Sequence, residues 1–221
     1  MRCSGIDLAA EPRFTGLATL SVTDASVRLE HAAVGVTGAQ LIAAVSRSGG
    51  TGVDVPVGWP VAFVEFLQHH TDHTLEPPET TAGPWRRTLG LRAADIDLHR
   101  RTGLTTLSVS ANLIAYPAFR WAAIEAKLRA LYRWGIPCTG YTGRQRRNVR
   151  HRMVVALCLL FGALDWSGFE DLIVADDNAL DAVISVLVRY QVYCGNCDGP
   201  PEYLGEITQR EGWIWVPKMI E

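Results

Sequence analysis

The chain has 221 residues, 48% of them hydrophobic, and its 21 basic and 23 acidic side chains give a formal charge of −2. This composition excludes disordered, collagen-like, coiled-coil and small disulfide-stapled proteins, and it favours one domain over residues 1–221. No apolar run approaches the roughly 20 residues of a spanning helix, and no signal-peptide core follows the N-terminus. We therefore expect a cytoplasmic enzyme or binding protein that does not associate with a membrane.

The first 55 residues predict a mixed sheet. Short β-branched or apolar runs at 3–9, 15–23 and 26–34 are separated by turn residues, which predicts three antiparallel strands. Thr37 is the expected N-cap of the next helix, and a strand at 52–55 follows it. The strands on either side of such a helix run parallel, with a right-handed crossover. The predicted fold class is α/β, with three antiparallel strands, then a parallel strand, and flanking helices.

The rest of the chain predicts mostly helices. Residues 69–84 are polar and predict a loop, and we expect a helical and loop insertion at about 69–150. The helix near 148–164 is apolar from Met153 onward and is expected to be buried. Further predicted elements are helices at about 118–132 and 176–193, and a late strand at 212–216.

The five cysteines do not define a disulfide framework. Cys194 and Cys197 have the spacing of half a zinc site, but no second pair of ligands completes it. We expect two reduced thiols in the turn that ends the last long helix.

Two aspartates lie among apolar residues of the predicted strands. Asp7 is flanked by Ile6 and Leu8, and Asp54 is at the end of the parallel strand. Side chains alternate across a strand, so Asp7 faces away from its two neighbours. Ligands of open α/β sheets collect beyond the carboxyl ends of parallel strands, which favours a site containing both aspartates. Alternatively, Asp54 hydrogen-bonds turn amides.

Two further aspartates share a stripe of the last long helix. Asp177, Asp181, Ile184 and Val188 follow at spacings of four, three and four residues. A helix that presses this stripe onto the sheet carries Asp181 inward, where an unpaired carboxylate is costly. Oxygen-only ligands suit Mg²⁺ or Mn²⁺, and two such ions can hydrolyse a phosphodiester. For Asp176 and Asp177, which start this helix, complementing the helix dipole is at least as good an interpretation as metal binding.

Five segments of the chain form a characteristic series: GIDLAAEPRFTGLA (5–18), VDVPVGWP (53–60), RAADIDLHRRTGL (92–104), DNALDA (177–182) and GWIWVP (212–217). Together they resemble the domain-of-unknown-function 429 family, described as predicted nucleases of the ribonuclease-H-like superfamily. The resemblance implies a ribonuclease-H-like mixed sheet whose carboxylates bind divalent metal. It maps that role onto Asp7, Asp54 and Asp181, with Asp177 as a possible fourth catalytic acid.

The chain departs from the family pattern at two places. The acidic Glu-x-Tyr-Pro strand that precedes a Tyr-Lys pair in the family has no counterpart here, and Tyr141 is followed by Thr142. The family's Arg-x-Thr-Asp pattern is Arg92-Ala-Ala-Asp95 here, without the threonine. If the missing acid takes part in catalysis, the chain is a weakened or inactive member.

Basic residues provide candidate nucleic-acid contacts. On a helix Arg146, Arg147 and Arg150 share a face, which suits the tracking of a phosphate backbone, although a solvated helix start gives the same pattern. Arg92, in a segment that resembles the family, is the fourth candidate.

The leading hypothesis is a divalent-metal-dependent nuclease. The alternative is a catalytically degenerate ribonuclease-H-like protein that binds nucleic acid without cleaving it. An actin-like phosphotransferase ranks last because the residues after Asp7 lack a glycine-rich phosphate loop. The sequence leaves open the nucleic-acid type, the number of metal ions, the oligomeric state and the pathway.

Overall fold

The computed structural model describes residues 1–23, 26–112, 114–131, 147–162 and 164–218. Among the described residues, no helix is long and apolar enough to cross a membrane. The strands are β1 (Arg2–Asp7), β2 (Gly16–Val22), β3 (Val27–Val34), β4 (Thr51–Asp54), β5 (Leu164–Asp165), β6 (Cys197–Asp198) and β7 (Val216–Pro217). The helices are α1 (Gly38–Ser46), α2 (Val61–Thr71), α3 (Gly83–Gly90), α4 (Ala93–Thr102), α5 (Ala115–Leu131), α6 (Arg147–Leu160), α7 (Glu170–Ala175), α8 (Asp177–Tyr193) and α9 (Gly205–Glu211).

A five-stranded mixed sheet forms the centre of the molecule, in the order β4-β1-β2-β3-β5. The first three strands pair antiparallel, and β4 lies parallel to β1 on the other side. Helix α1 makes the crossover to β4, and a capping box between Thr37 and Gln40 begins it. The predicted α/β class, with three antiparallel strands followed by a parallel strand, is confirmed. The short edge strand β5, parallel to β3, was not predicted.

Hydrophobic cores cover both faces of this sheet. On one face α8 packs across β1, β2 and β4, with Cys3, Leu180 and Val183 among the buried residues. On the other face Ile6 and Leu17 pack with apolar residues of α1 and α5. Strand alternation separates the two sets. Since Asp7 is two residues after Gly5 and four after Cys3, its side chain belongs to the α8 face.

Three glycines form a seat on which α8 lies close to the sheet. A Cβ at Gly5 would collide with the carbonyl oxygen of Ala182, and one at Gly16 would collide with that of Asn178. Gly52 lies in the same way beneath Ser185. Gly5 and Gly52 are partners in the β1–β4 register. Because backbone meets backbone here, the glycine seat fixes the position of α8 over the ends of β1 and β4.

Four predictions of local structure need correction. The 69–84 loop begins later than predicted because α2 continues to Thr71. Residues 83–102, which were given no helix, form α3 and α4, and their polar faces hid the helical periodicity. The late strand is only Val216–Pro217, and the tryptophan and isoleucine before it pack against α4 instead. Cys194 ends α8, but Cys197 lies in β6, and both are free thiols.

The prediction that α6 is buried is wrong. Val154 is buried, but Val155, Leu159 and Leu160 are exposed, Leu159 at 81% of its surface. Only one face of α6 packs against the hydrophobic core on the α8 side of the sheet. The apolar run of this helix has no polar positions, so the sequence did not indicate which face is buried and which is exposed.

Glu211 ties the start of α4 to the rest of the fold. Its buried carboxylate accepts the Val61 amide of α2 at 2.7 Å and the Ala93 amide of α4 at 2.6 Å. Both amides belong to first helical turns, which lack intrahelical partners and favour negative charge. One carboxylate thus holds two helix N-termini together and positions α4 near the end of β4.

Candidate functional site

Asp7 and Asp54 lie side by side at the carboxyl ends of two parallel strands. They are direct partners in the β1–β4 register and the last residues of their strands. Partners on adjacent parallel strands point to the same face and are about 4.8 Å apart at the backbone. Asp54 is buried, with 7% of its surface exposed, and Asp7 is partly buried. The sheet therefore places two carboxylates together at the carboxyl ends of β1 and β4.

The start of α8 adds further carboxylates near the carboxyl ends of β1 and β4. Gly16, the register partner of Asp7, lies beneath Asn178 in the first turn of α8. This contact brings Asp177 and Asp181 close enough to Asp7 for their charges to interact with it. We refer to Asp7, Asp54, Asp177 and Asp181 as the carboxylate cluster.

Asp176, just before α8, has a structural role. Its Oδ1 accepts the backbone amides of Asn178 at 2.9 Å and Ala179 at 3.3 Å, so it is the N-cap of the helix. Asp181 is at the border of the buried face of α8, whose fully buried residues include Ala182 and Val186. The predicted stripe therefore lies beside the core rather than inside it.

The electrostatics of the cluster favour bound cations. Burial, followed by the charges of Asp181, Asp177 and Asp176, raises the pKa of Asp7 to about 8. Burial and the charges of Asp177 and Asp176 raise the pKa of Asp181 to about 7, against the opposing effect of Arg150. In the absence of a cation, these two carboxyl groups hold protons near neutral pH. A divalent ion would displace these protons by supplying positive charge.

The donor chemistry of the cluster fits Mg²⁺ or Mn²⁺, since all of its ligand atoms are carboxylate oxygens. Within the described ranges, no group of three or more histidine, cysteine or acidic side chains is arranged to hold one ion. The charges of Asp7, Asp177 and Asp181 interact, Asp54 is the strand neighbour of Asp7, and the four side chains must adjust to share a metal ion.

The metal-free protein is expected to lose stability as the pH rises from about 4 to about 8. Unfolded aspartates ionise near pH 3.8, whereas Asp7 and Asp181 keep their protons until about pH 8 and 7. Between these values the folded state binds more protons, so the free energy of unfolding falls by up to about 1.4 kcal/mol per pH unit for each carboxyl. Chemical denaturation in EDTA measures this slope.

Asp181→Asn should give a shallower slope than the wild type, and Asp171→Asn, at an exposed position of α7, should not change it. Equal slopes for the wild type and Asp181→Asn would show that Asp181 does not titrate in this range.

The structure separates the four predicted nucleic-acid-binding arginines. Arg146 lies outside the described residues, and Arg147 begins α6 with a side chain that is not described. Arg150 donates to the carbonyl oxygens of Val174 at 3.0 Å and Ala175 at 2.9 Å. Its charge partly offsets the rise in the pKa of Asp181. Arg150 thus fastens α6 to the chain just before α8, next to the carboxylate cluster.

Arg92 lies beside Asp54 rather than on an open basic surface. Only 6% of its surface is exposed, and its Nε and Nη2 donate to the two carboxylate oxygens of Asp95 at 2.9 and 3.0 Å. Asp95 also accepts the Arg92 amide at 3.0 Å, which begins α4. The pair therefore forms a rigid polar element at the base of α4. Its helical spacing was visible in the sequence, but its burial depends on packing around α9.

Comparisons with known proteins give one family and one distant structural likeness. The model of the family described as "Protein of unknown function (DUF429)" matches residues 5–146. The solved structure of "T. thermophilus RuvC in complex with Holliday junction substrate" is similar, with a TM-score of 0.35 and 14% sequence identity. The similarity covers 88% of this chain and 97% of that chain. No curated protein matches the chain.

Proposed function

The chain belongs to the DUF429 family, and on this premise we propose that it is a divalent-metal-dependent nuclease that hydrolyses phosphodiester bonds in nucleic acid. One observation carries the proposal: Asp7 and Asp54 are partners on adjacent parallel strands, and the aspartates at the start of α8 are close enough to Asp7 to act on its charge. These carboxylates come from three separate elements, and each of the two with a strongly raised pKa costs folding stability. Such an arrangement is typical of a functional site.

Each member of the cluster has a proposed role. Asp7, Asp54 and Asp181 hold Mg²⁺ or Mn²⁺, and Asp177 supplies a further carboxylate. A bound ion of this kind activates a water molecule and stabilises the leaving oxygen of the phosphodiester. The glycine seat keeps Asp181 over the strand ends, and Asp7 and Asp181 release their protons as the site is loaded.

Nucleic acid is the proposed partner, although its type stays open. Arg146, Arg147 and Arg150 remain the proposed phosphate contacts. The charge of Arg150 acts on Asp181 of the cluster. A phosphate backbone that reaches Arg150 would pass near the carboxylates.

A cleavage assay tests the proposal with labelled single-stranded and duplex DNA, RNA, hybrid and junction substrates. We expect cleavage with Mg²⁺ or Mn²⁺, no cleavage in EDTA, and a loss of at least about a hundredfold in Asp181→Asn, since changes to groups that only support metal ligands already cost 10–100-fold. Asp171→Asn is the matched control and should cleave like the wild type.

Cleavage that continues in EDTA or in folded Asp181→Asn would contradict the mechanism. Salt-sensitive binding that is indifferent to EDTA, without cleavage of any substrate, would identify the degenerate binding protein instead.

A further inference from the structure

A cavity of about 200 Å³ opens beside Asp54, at one side of the carboxylate cluster. The end of β4, helix α4, the segment 104–107 and Ile214 form its walls. Val55, Leu98 and Ile214 provide a buried apolar floor, whereas Leu104 and Leu107 are 55% and 46% exposed at the wall. Two exposed leucines over an apolar cavity favour a ligand with an apolar face.

The polar groups of the cavity favour a ligand that is neutral. Arg92 is paired with Asp95, so this buried ion pair adds no net charge to the cavity. The guanidinium is already engaged by Asp95 on two of its nitrogens, so a phosphate would have to compete with this carboxylate for it. Neither of these two hydrogen bonds uses the third nitrogen, Nη1. This nitrogen remains available to donate to a ring nitrogen or carbonyl.

A flat, uncharged ring with polar atoms at its edge meets these requirements. We propose that this cavity, called the Asp54 cavity, binds one unstacked nucleobase of the nucleic acid. The leucine walls would replace the stacking that the base loses, and Arg92 would hydrogen-bond its edge. The inference rests on the proposed function, because it places the base next to the strand ends where the backbone would be cleaved.

The test uses a nucleoside that has no phosphate and needs no metal. The fluorescence of 2-aminopurine riboside depends on its surroundings, so its titration into the protein in EDTA reports binding. We expect saturable binding with a dissociation constant below about 1 mM, a modest affinity for a ligand of this size. Inorganic phosphate should not compete, whereas unlabelled nucleosides should.

Leu107→Glu places a charge in the wall and should weaken binding by about tenfold or more. Leu104→Glu should act in the same direction, and both leucines are exposed, so neither change threatens the core. Ile96→Glu is the matched control, because Ile96 is 48% exposed on α4 and does not line the cavity. This control should bind like the wild type.

No saturation up to about 10 mM, far above the affinity expected for this ligand size, would overturn the proposal. Equal binding by the wild type and both leucine variants, or competition by phosphate, would also overturn it. None of these outcomes depends on Asp7 or Asp181. Failure of the nucleobase site and failure of the nuclease proposal are therefore distinguishable.

Discussion

Asp7→Asn is expected to make the metal-free protein more stable while it abolishes cleavage. The pKa of Asp7 rises from 3.8 to about 8 in the folded protein, so folding works against its ionisation. At pH 7 this shift corresponds to a cost of up to about 4 kcal/mol, which an uncharged amide of the same shape avoids. The amide also removes a carboxylate from the cluster, so the variant should lose metal-dependent activity.

Thermal unfolding in EDTA at pH 7 measures this stability. We expect the melting temperature of Asp7→Asn to exceed that of the wild type by about 5 °C or more for a chain of this length. Asp171→Asn, which removes an exposed charge outside the cluster, should change it little. A lower melting temperature for Asp7→Asn would mean that the Asp7 carboxylate stabilises the fold, contrary to the electrostatics described above.

Gly5→Ala is expected to destabilise the protein by at least about 3 kcal/mol. The added methyl group would lie within 3.0 Å of the Ala182 carbonyl oxygen and of the Val186 amide nitrogen and Cβ in α8. Backbone atoms of a packed helix cannot move aside as the end of a flexible side chain can. Helix α8 would have to lift from the sheet, which would also withdraw Asp181 from Asp7.

Denaturant unfolding compares Gly5→Ala with Gly83→Ala, a substitution in α3 where a new Cβ has nothing within 4 Å. The control should be neutral or gain up to about 1 kcal/mol, because alanine restricts the unfolded chain more than glycine does. If the two variants unfold at the same denaturant concentration, α8 does not rest on the glycine seat as described.

The parts of the fold set by local pattern could be predicted from the sequence. Alternation identified the faces of Asp7 and its neighbours, and turn residues separated the first three strands. Thr37 and the acids at 176–177 marked two helix starts because capping is a local interaction. Helix α4 was missed because its weak apolar stripe meets a core that only tertiary packing creates, and α3 was missed because it buries no residue.

Glycines inside three strands indicate in the sequence how the site is arranged. Gly5, Gly16 and Gly52 lie inside strands, where glycine often marks the close approach of another backbone. Together they indicate where a helix crosses the sheet. The pairing of Arg92 with Asp95 had the right spacing, yet its burial beside Asp54 follows from the Glu211 contact, more than a hundred residues away.

Calorimetric titration with Mn²⁺ tests the central claim most directly, on the wild type, Asp7→Asn, Asp181→Asn and the control Asp171→Asn, with folding checked by circular dichroism. The account predicts that the wild type and the control bind Mn²⁺, and that the two folded cluster variants bind at least about tenfold more weakly. A wild type that binds no Mn²⁺, or folded cluster variants that bind it as tightly as the wild type, would contradict the account.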